Sequence, residues 1–320
     1  HCHTLKLPHP SLTNYDLEKL RRVSQGDFLA TTLMTVFPAG GGELELRQAI
    51  EAVCQRASWA IQSGYTLLIL SDRAADANFV PIPSLLALSA VHNHLVRERT
   101  RTQVALIVEL GEPRVVHHFS LLIGYGASAV NPYLAIETLE EMCGRGQLGE
   151  GLTFEEALRN YKKAVGKNLL KVFSKMGIST LQSYQGAQIF EAIGLNRQLV
   201  ETYFTGTASR IEGVGLEVLA REANMKHEGA FRPVTDVETE LPVGGNLAYR
   251  VNGEYHLLNP VTISHLQHSV RQGSYATFQE FTRAIDDHSR QLCTLRGLLE
   301  FKRAPQPLPL DEVEPAREIV

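Results

Sequence analysis

The sequence predicts an α/β fold built on a parallel sheet, and three observations lead to this prediction. Short apolar, β-branched runs alternate with longer amphipathic stretches through the first two-thirds of the chain, as βαβ units require. Strand-like runs begin near positions 28, 66, 103, 129 and 179, which gives five β/α units. The run 67–70 is continuously apolar, which is typical of strands covered on both faces. Five units favour an open sheet or an incomplete TIM-barrel-like architecture.

The first two units set the pattern. Residues Asp27–Phe37 predict a strand that ends at Pro38. The next stretch, Glu43–Ser63, has apolar residues at helical spacing and is followed by Gly64, a common stop signal, so it predicts a helix. Tyr65–Asp72 then predicts the second strand.

The same alternation continues along the chain. We predict the following further elements: a helix at Pro83–Glu98, a strand at Gln103–Glu109, a helix at Val116–Tyr125, a strand at Ala129–Asn131, a strand at Ser179–Ser183 and a helix at Gly186–Ile193.

A long helix interrupts the pattern before the fifth unit. Thr153 and Glu156 have the spacing of a capping box, and an apolar stripe continues to Met176. At about 1.5 Å per residue this helix spans roughly 35 Å. Five cations recur beside the stripe at every fourth residue: Arg159, Lys163, Lys167, Lys171 and Lys175. This basic row fits a solvated helix face or a docking strip for an acidic partner.

The character of the sequence changes beyond position 230. We assign 1–230 to one α/β domain and 231–320 to a linker, a hairpin and helices. The hairpin is predicted at 247–258 around Asn252-Gly253, and the helices at Thr262–Arg271 and Thr277–Arg290. Ala304–Pro309 reads as a polyproline-like extension.

Composition excludes several classes of protein. The chain has 320 residues with 31 basic and 35 acidic side chains, and this balance argues against a nucleic-acid binder. Cys2, Cys54, Cys143 and Cys293 have no metal-ligand or disulfide spacing, which favours a reducing compartment. The sequence has no apolar run long enough for a membrane span and no signal-peptide pattern. Because it starts without methionine, we expect it to be part of a longer protein.

Two motifs invite a functional interpretation that their context does not support. Gly144–Gly149 matches G-x-G-x-x-G, but no strand precedes it and no helix begins on its last glycine, so we interpret it as a loop. The pairs His92/His94 and His117/His118 are too closely spaced to bind a metal on one helix face. We expect both pairs to be structural.

Candidate catalytic groups are few. Asp72 and Glu109 end two predicted strands, which is where barrel enzymes place active residues. No nucleophile elbow, P-loop or zinc-protease helix accompanies them. We therefore assign no catalytic, cofactor-binding or metal-binding residue to this chain.

Four segments carry a family resemblance. Lys175–Leu195, Phe204–Thr207, Val116–Ala127 and Asn131–Ala135 closely resemble the large-subunit glutamate synthases. The resemblance extends over nearly the whole chain. Positions 1 to about 230 resemble the central domain of that family, and the residues from about 245 to 303 resemble the segment leading into its flavin domain.

The resemblance implies a parent enzyme with several domains. An amidotransferase domain would release ammonia from glutamine, and a tunnel would carry it to an FMN domain that converts 2-oxoglutarate to glutamate. The resemblance places FMN, the iron–sulfur cluster and the catalytic cysteine outside this chain, so Cys2 is not the nucleophile. It implies ferredoxin or a second subunit as further partners, no nucleic acid or membrane, and a cytoplasmic or plastid-stromal location.

Within this scheme we expect the chain to be a non-catalytic scaffold. It would hold two active sites at a fixed separation and help to shield the ammonia path, with Thr31 and Thr32 as candidate wall residues. The alternative is a stand-alone FMN-dependent barrel oxidoreductase, in which the loop Ser183–Gly186 would cradle the phosphate.

Overall fold

The computed structural model describes residues 4–149, 151–231, 243–289 and 294–319. The chain divides into two compact units, His1–Arg232 and Pro233–Val320. Each is described separately below.

The strands of the described residues form one large and two small sheets. They are β1 Ser24–Gln25, β2 Phe28–Met34, β3 Val36–Pro38, β4 Leu67–Ser71, β5 Phe79–Pro81, β6 Ala105–Glu109, β7 Ala129–Asn131, β8 Glu191–Leu195 and β9 Ala208–Val214. The large sheet has the order β1-β2-β4-β6-β7, and all its pairs are parallel except the antiparallel pair of β1 and β2. It is open, because β1–β2 and β7 end it on opposite sides.

Helices pack around the sheets of the first unit, and further helices lie in the described part of the second unit. The α-helices are α1 Asn14–Arg21, α2 Glu43–Gln62, α3 Ser84–Arg97, α4 Val116–Gly124, α5 Tyr133–Gly144, α6 Phe154–Met176, α7 Leu181–Tyr184, α8 Arg197–Tyr203, α9 Leu216–Phe231, α10 Pro260–Gln272, α11 Tyr275–His288, α12 Leu295–Leu298 and α13 Ala316–Ile319. Short 3-10 turns lie at Arg101–Gln103 and Leu310–Glu312. No helix in the described ranges is long and apolar enough to cross a membrane.

The sheet is covered on both faces, as its apolar strands predict. Alternate side chains of β4 and β6 point to opposite sides. On one side Leu68, Leu70 and their neighbours join α2, α3 and α4 in the main core. On the other side Leu67 and Ile69 pack with α1 in a second, smaller core. Helix α1 therefore fills the face that would point into the interior if such a sheet closed into a barrel.

The end of the first unit is tied back onto the sheet. Parallel strands β8 and β9 are joined through α8, and α9 then packs against α2. The Asn224 side chain accepts from Gly40 N at 2.7 Å and donates to Gly41 O at 2.8 Å, and His227 Nε2 lies 2.6 Å from Asp76 O. These contacts fix α9 beside the loops that follow β3 and β4.

The parallel α/β prediction is confirmed, with local differences in the first unit. The predicted strand Ser179–Ser183 is wrong, because Thr180 caps the short helix α7 by accepting from Ser183 N. The predicted helix Gly186–Ile193 is also wrong. Positive φ angles at Gly186 (+73°) and Gln188 (+53°) are incompatible with a helix, and strand β8 begins at Glu191.

The first predicted strand proves to be two. Thr35 interrupts it by donating its backbone N–H to Ser71 O at 2.8 Å and accepting from Ile82 N at 2.9 Å. As a result β3 leaves the large sheet and pairs with β5, which the sequence pattern did not predict.

The predicted hairpin at 247–258 is wrong. Asn252 does take the left-handed conformation, with φ of +60°, but the flanking residues form bends and turns in place of a ladder. Leu247 and Leu258 are 83% and 60% exposed, so pairing these segments would bury little apolar surface. The two helices predicted after it are present as α10 and α11, and the predicted linker at 232–242 lies outside the described residues.

Candidate functional site

Polar side chains gather at the carboxyl edge of the large sheet. The register pairs Met34 with Ser71, Ser71 with Glu109 and Glu109 with Asn131, so the parallel strands end side by side. Such an edge is where parallel α/β proteins usually bind ligands. It therefore brings together both sequence-derived candidates, Glu109 and the adjoining Asp72.

Glu109 is fully occupied by neighbouring side chains. Its carboxylate is 4% exposed and accepts from Arg21 Nη2 at 2.8 Å, from Arg73 Nε at 2.8 Å and from Ser71 Oγ at 2.6 Å. Arg21 also donates to Thr32 Oγ1 at 2.5 Å. A buried carboxylate paired with two guanidinium groups and a hydroxyl is electrostatically satisfied.

Arg73 extends this network toward the surface. Its Nη2 donates to Glu137 Oε1 at 2.7 Å, and its guanidinium lies 4.0 Å from the centre of the Tyr133 ring. The stacking and the two ion pairs fix the guanidinium in one orientation. We call Arg21, Arg73, Ser71 and Glu109 the edge cluster.

Asp72 lies beside the edge cluster and has a different environment. It is 3% exposed and accepts from Gly111 N at 3.2 and 3.0 Å. Burial raises the pKa of Asp72 to about 6, while hydrogen bonds from Gly111 and Tyr133 oppose the rise. Burial and the nearby Asp72 carboxyl also raise the pKa of Tyr133.

This geometry is that of an ion-paired structural site. Three groups of the chain itself donate to the Glu109 carboxylate, and its side chain is only 4% exposed. Asp72 is held by a backbone amide and a tyrosine within the fold. The expectation that neither residue is catalytic stays a prediction.

The histidines that the sequence singled out are separated by the fold. His92 Nδ1 accepts from Arg101 Nε at 2.9 Å, and burial together with Arg101 lowers the pKa of His92 to about 4. His94 contacts a different residue, because its Nε2 lies 2.8 Å from Ser58 Oγ. Gly126 supports the first contact: its φ is +112°, and a Cβ there would lie 2.2 Å from His92 Nδ1.

The two residues of the second histidine pair also contact different partners. His118 Nδ1 accepts from Arg114 N at 3.2 Å, and burial lowers the pKa of His118. His117 packs edge-on against the ring of Phe190, with centroids 6.4 Å apart. Across the described ranges, no group of three histidine, cysteine or acidic side chains is arranged to hold a metal.

The two loops considered for nucleotide or flavin binding have ordinary structural roles. Gly144–Gly149 ends α5, and a Cβ at Gly144 or Gly149 would have no atom within 4 Å. In the loop Ser183–Gly186 each backbone N–H donates within the chain, to Thr180 Oγ1, Thr180 O, Leu181 O and Gly124 O in turn. These amides do not fit a phosphate cradle, because all four are already bonded within the chain.

A cavity of about 390 Å³ lies between α9 and the loops that follow β4 and β6. Its wall is mainly apolar, with Glu112, Glu222, Lys226 and His227 at the polar positions. Glu112 Oε2 accepts from Ser84 N at 2.9 Å and so caps the start of α3. No sequence pattern predicts this cavity, because α9 reaches the loops only through the tertiary fold.

The two cysteines within the described residues lie in different environments. Cys54 is buried, and burial raises its pKa to about 12, so it stays protonated at neutral pH. Cys143 is a partly exposed free thiol on α5. Cys2 and Cys293 lie outside the described residues.

Sequence reasoning found Asp72 and Glu109 but missed the partners that define their roles. Arg73 directly follows Asp72, and a cation at a strand end beside a buried acid was a usable signal. Arg21 and Glu137 gave none, since they are 88 and 28 positions from Glu109 and meet it or Arg73 only through tertiary structure.

Comparison with known proteins fixes the family. A family model described as the glutamate synthase central domain matches residues 1–196. The chain belongs to the glutamate synthase family. The resemblance read from the sequence is thus confirmed.

Relatives of this central domain are much longer proteins. The large chain of glutamate synthase [NADPH] from Bacillus subtilis is 41% identical over 316 residues, which are 99% of this chain and 20% of that protein. Glutamate synthase [NADH] from Schizosaccharomyces pombe is 41% identical over 323 residues, 100% of this chain and 15% of that protein. Ferredoxin-dependent glutamate synthase from Pyropia yezoensis is 37% identical over 328 residues, 99% of this chain and 21% of that protein. The central domain chain therefore spans about a fifth or less of the length of these relatives.

Proposed function

We propose that this central domain is a non-catalytic scaffold in a glutamate synthase. It joins the glutamine amidotransferase domain to the FMN-containing synthase domain and helps to shield the path of ammonia between them. Its contribution to glutamate biosynthesis and ammonia assimilation is the fixed relative position of two active sites. FMN and the iron–sulfur cluster belong to other parts of the parent protein, which takes electrons from ferredoxin or through a second subunit.

One observation carries this proposal. The carboxyl edge of the sheet, where related architectures bind ligands, is filled by the chain's own ion pairs between Glu109 and the two arginines Arg21 and Arg73. Leu17 and Leu20 of helix α1, together with Leu12 just before the helix, cover the adjoining face. Space that would serve catalysis in a barrel enzyme is instead used to stiffen the body, which supports a positional role.

The ammonia path is the finer part of the proposal. Thr31 and Thr32 are half-buried on β2, the strand beyond which the sheet has only the two-residue β1. Thr32 accepts from Arg21, which ties that position to the edge cluster. Small polar side chains of this kind suit a wall along which a small neutral molecule passes.

The alternative function, a stand-alone FMN-dependent oxidoreductase, has less support. The loop proposed to hold the flavin phosphate has all four amides of Ser183–Gly186 bonded within the chain. Purified chain tests the choice directly. We expect a colourless protein without glutaminase or synthase turnover, whereas a yellow preparation with stoichiometric FMN would favour the alternative.

The scaffold role is tested in the full-length enzyme by the ratio of glutamate formed to glutamine hydrolysed. Glu109→Gln weakens the edge cluster without touching either expected active site. We expect both partial reactions to persist in this variant while their ratio departs from that of the parent enzyme. Loss of the glutaminase reaction itself would instead assign Glu109 to catalysis and end the proposal.

A further inference from the structure

The outer face of α6 carries the basic row, and the structure shows how that row is presented. Arg159, Lys163, Lys167, Lys171 and Lys175 are all exposed. The opposite face of the helix is buried in the fold through Ala157 and three core residues, Val165, Leu169 and Phe173. In the part of the chain that the structure describes, the four lysines have no ion pair, whereas Arg159 lies 3.7 Å from Glu156.

The basic row destabilises the helix that carries it. Like charges four residues apart face each other on a helix and repel, and the row contains four such pairs in succession. Helix α6 is nevertheless firmly ended by the capping box of Thr153 and Glu156 and by Gly177 at its C-cap, with φ of +69°. The lysines are therefore presented on a rigid platform that does not need them for its own stability.

Neighbouring cations on the same helix behave differently. Lys162 directly precedes Lys163 and pairs with Asp16 at 3.5 Å. The helix thus pairs a cation where the fold supplies a carboxylate, and leaves the four lysines of the row unpaired on the face that the described fold does not cover. An acidic surface from outside the described chain would complete this face.

An apolar group within the row specifies the kind of partner. Leu170 is 66% exposed and lies three residues after Lys167, on the same side of the helix. Apolar contact surrounded by charge is the anatomy of a protein interface. A nucleic acid would not use the leucine, and the net charge of −4 for the whole chain does not attract a polyanion.

We propose that the basic row and Leu170 dock on an acidic face of another part of the same long polypeptide. This rests on the proposed function, in which the chain is one of several domains held in fixed positions. The matched stretch is only 20% and 15% of two of the relatives, so most of the surface available to α6 in the parent belongs to the same polypeptide. Charge complementarity then aligns the central domain with its neighbour.

The test is lysine footprinting of the full-length protein by an acetylating reagent, read by mass spectrometry. The exposed Lys226 on α9 serves as an internal reference for reagent strength. We expect Lys163, Lys167 and Lys171 to react about tenfold more slowly than Lys226 at low salt, as for a mainly docked population. At high salt the difference should shrink, because screening weakens the contact.

A charge-reversal pair supplies the control. In the full-length protein, Lys167→Glu with Lys171→Glu should release the protection of Lys163 and Lys175. Arg22→Glu with Arg221→Glu changes the net charge equally at exposed cations outside α6 and should leave the protection intact. A zero-length carbodiimide should also link the lysines of the row to aspartate or glutamate elsewhere in the same polypeptide.

Three outcomes would overturn the proposal. They are lysines of the row as reactive as Lys226 at low salt, protection that neither salt nor charge reversal changes, and cross-links to a second copy or a separate protein. None of these results bears on the ratio of glutamate formed to glutamine hydrolysed. The docking surface and the scaffold role can therefore fail independently.

Discussion

At the scale of single residues, the fold surrounds the candidate catalytic groups with partners from the chain itself. Glu109 would be a conspicuous buried carboxylate by itself, but Arg21, Arg73 and Ser71 hold both of its oxygens. His92 is held neutral beside Arg101 in a comparable way. In each case the chemistry of the group is set by residues remote in sequence.

The first prediction concerns Glu109→Gln. The substitution leaves two guanidinium groups without their shared counter-charge, so the free energy of unfolding should fall by about 3 kcal/mol. Urea unfolding of the chain measures the change. Glu137→Gln breaks only the outer, 43% exposed partner of Arg73 and should cost less than about 1 kcal/mol. Equal losses of unfolding free energy in the two variants would show that the burial of Glu109 does not strengthen its contribution to stability.

The second prediction concerns His92 and acid. Burial and Arg101 lower its pKa from 6.5 to about 4 in the folded state. Between pH 6.5 and 4 the unfolded chain therefore binds a proton that the folded chain does not, and the free energy of unfolding falls as pH falls. At 1.36 kcal/mol per unit the full loss is about 3 kcal/mol. His92→Gln removes this loss, and urea midpoints from pH 7 to 4 would show it.

The third prediction gives the opposite sign for Asp72. Burial raises its pKa from 3.8 to about 6, so between pH 6 and 3.8 the folded chain binds a proton that the unfolded chain does not. This makes the fold more stable as pH falls, by up to about 3 kcal/mol. Relative to the parent chain, Asp72→Asn should lose stability toward acid and His92→Gln should gain it. If the free energy of unfolding changed with pH in the same way in the two variants and in the parent chain, both assignments would be contradicted.

At the scale of whole elements, the sequence correctly predicted helices and strands with a clear apolar pattern, such as a helix flanked by capping residues or a continuously apolar strand. Helix α6, with Thr153 and Gly177 at its ends, and the continuously apolar strand β4 were both foreseen. The failures arose where local hydrogen bonds compete with the pattern. The Thr180 side chain caps a helix in a stretch that suits a strand, and the backbone bonds of Thr35 turn one predicted strand into two.

The candidate site was predictable to the same limited degree. Its two acids could be placed at strand ends because parallel strands end at one edge. Their arginine partners could not, because Arg21 reaches Glu109 from a helix that lies across the other face of the sheet. No periodic pattern in the sequence predicts that this helix lies across that face of the sheet. Strands β8 and β9 were missed for a related reason: their glycines, such as Gly194 at φ +86°, obscure the alternation of side chains.

The fourth prediction belongs to helix α6. Lys167 repels both Lys163 and Lys171, one turn away on either side. Lys167→Glu replaces two like-charge pairs by two opposite-charge pairs, so the free energy of unfolding of the chain should rise by about 1 kcal/mol at low salt. Lys167→Gln should give about half this gain. A gain that does not shrink in high salt would show that the cause is not electrostatic.

At the scale of the whole molecule, a stiff α/β body and an uncovered basic face serve different ends. The edge cluster and α1 consolidate the sheet from within, and they need no partner. The basic row on α6 faces outward. In the role that we propose, the edge cluster would keep this domain rigid and the basic row would align it with a neighbouring domain, so that the two active sites of the parent enzyme keep a fixed separation.

The fifth prediction tests the ammonia path in the full-length enzyme. Thr31→Phe adds bulk at a half-buried position of β2 without removing the Thr32 contact to Arg21. If Thr31 lines the path, glutamine hydrolysis should continue while less glutamate forms per glutamine, because released ammonia escapes to solvent. Thr66→Phe is the matched control, since Thr66 is a half-buried threonine at the amino end of β4.

Both phenylalanine variants carry a packing penalty of about 1–3 kcal/mol, so a loss of coupling caused by destabilisation alone should appear in both. Uncoupling confined to Thr31→Phe would locate the wall at β2. Unchanged coupling in a folded Thr31→Phe enzyme would remove this strand from the path. The scaffold would then depend on the edge cluster alone, where Glu109→Gln in the same assay decides it.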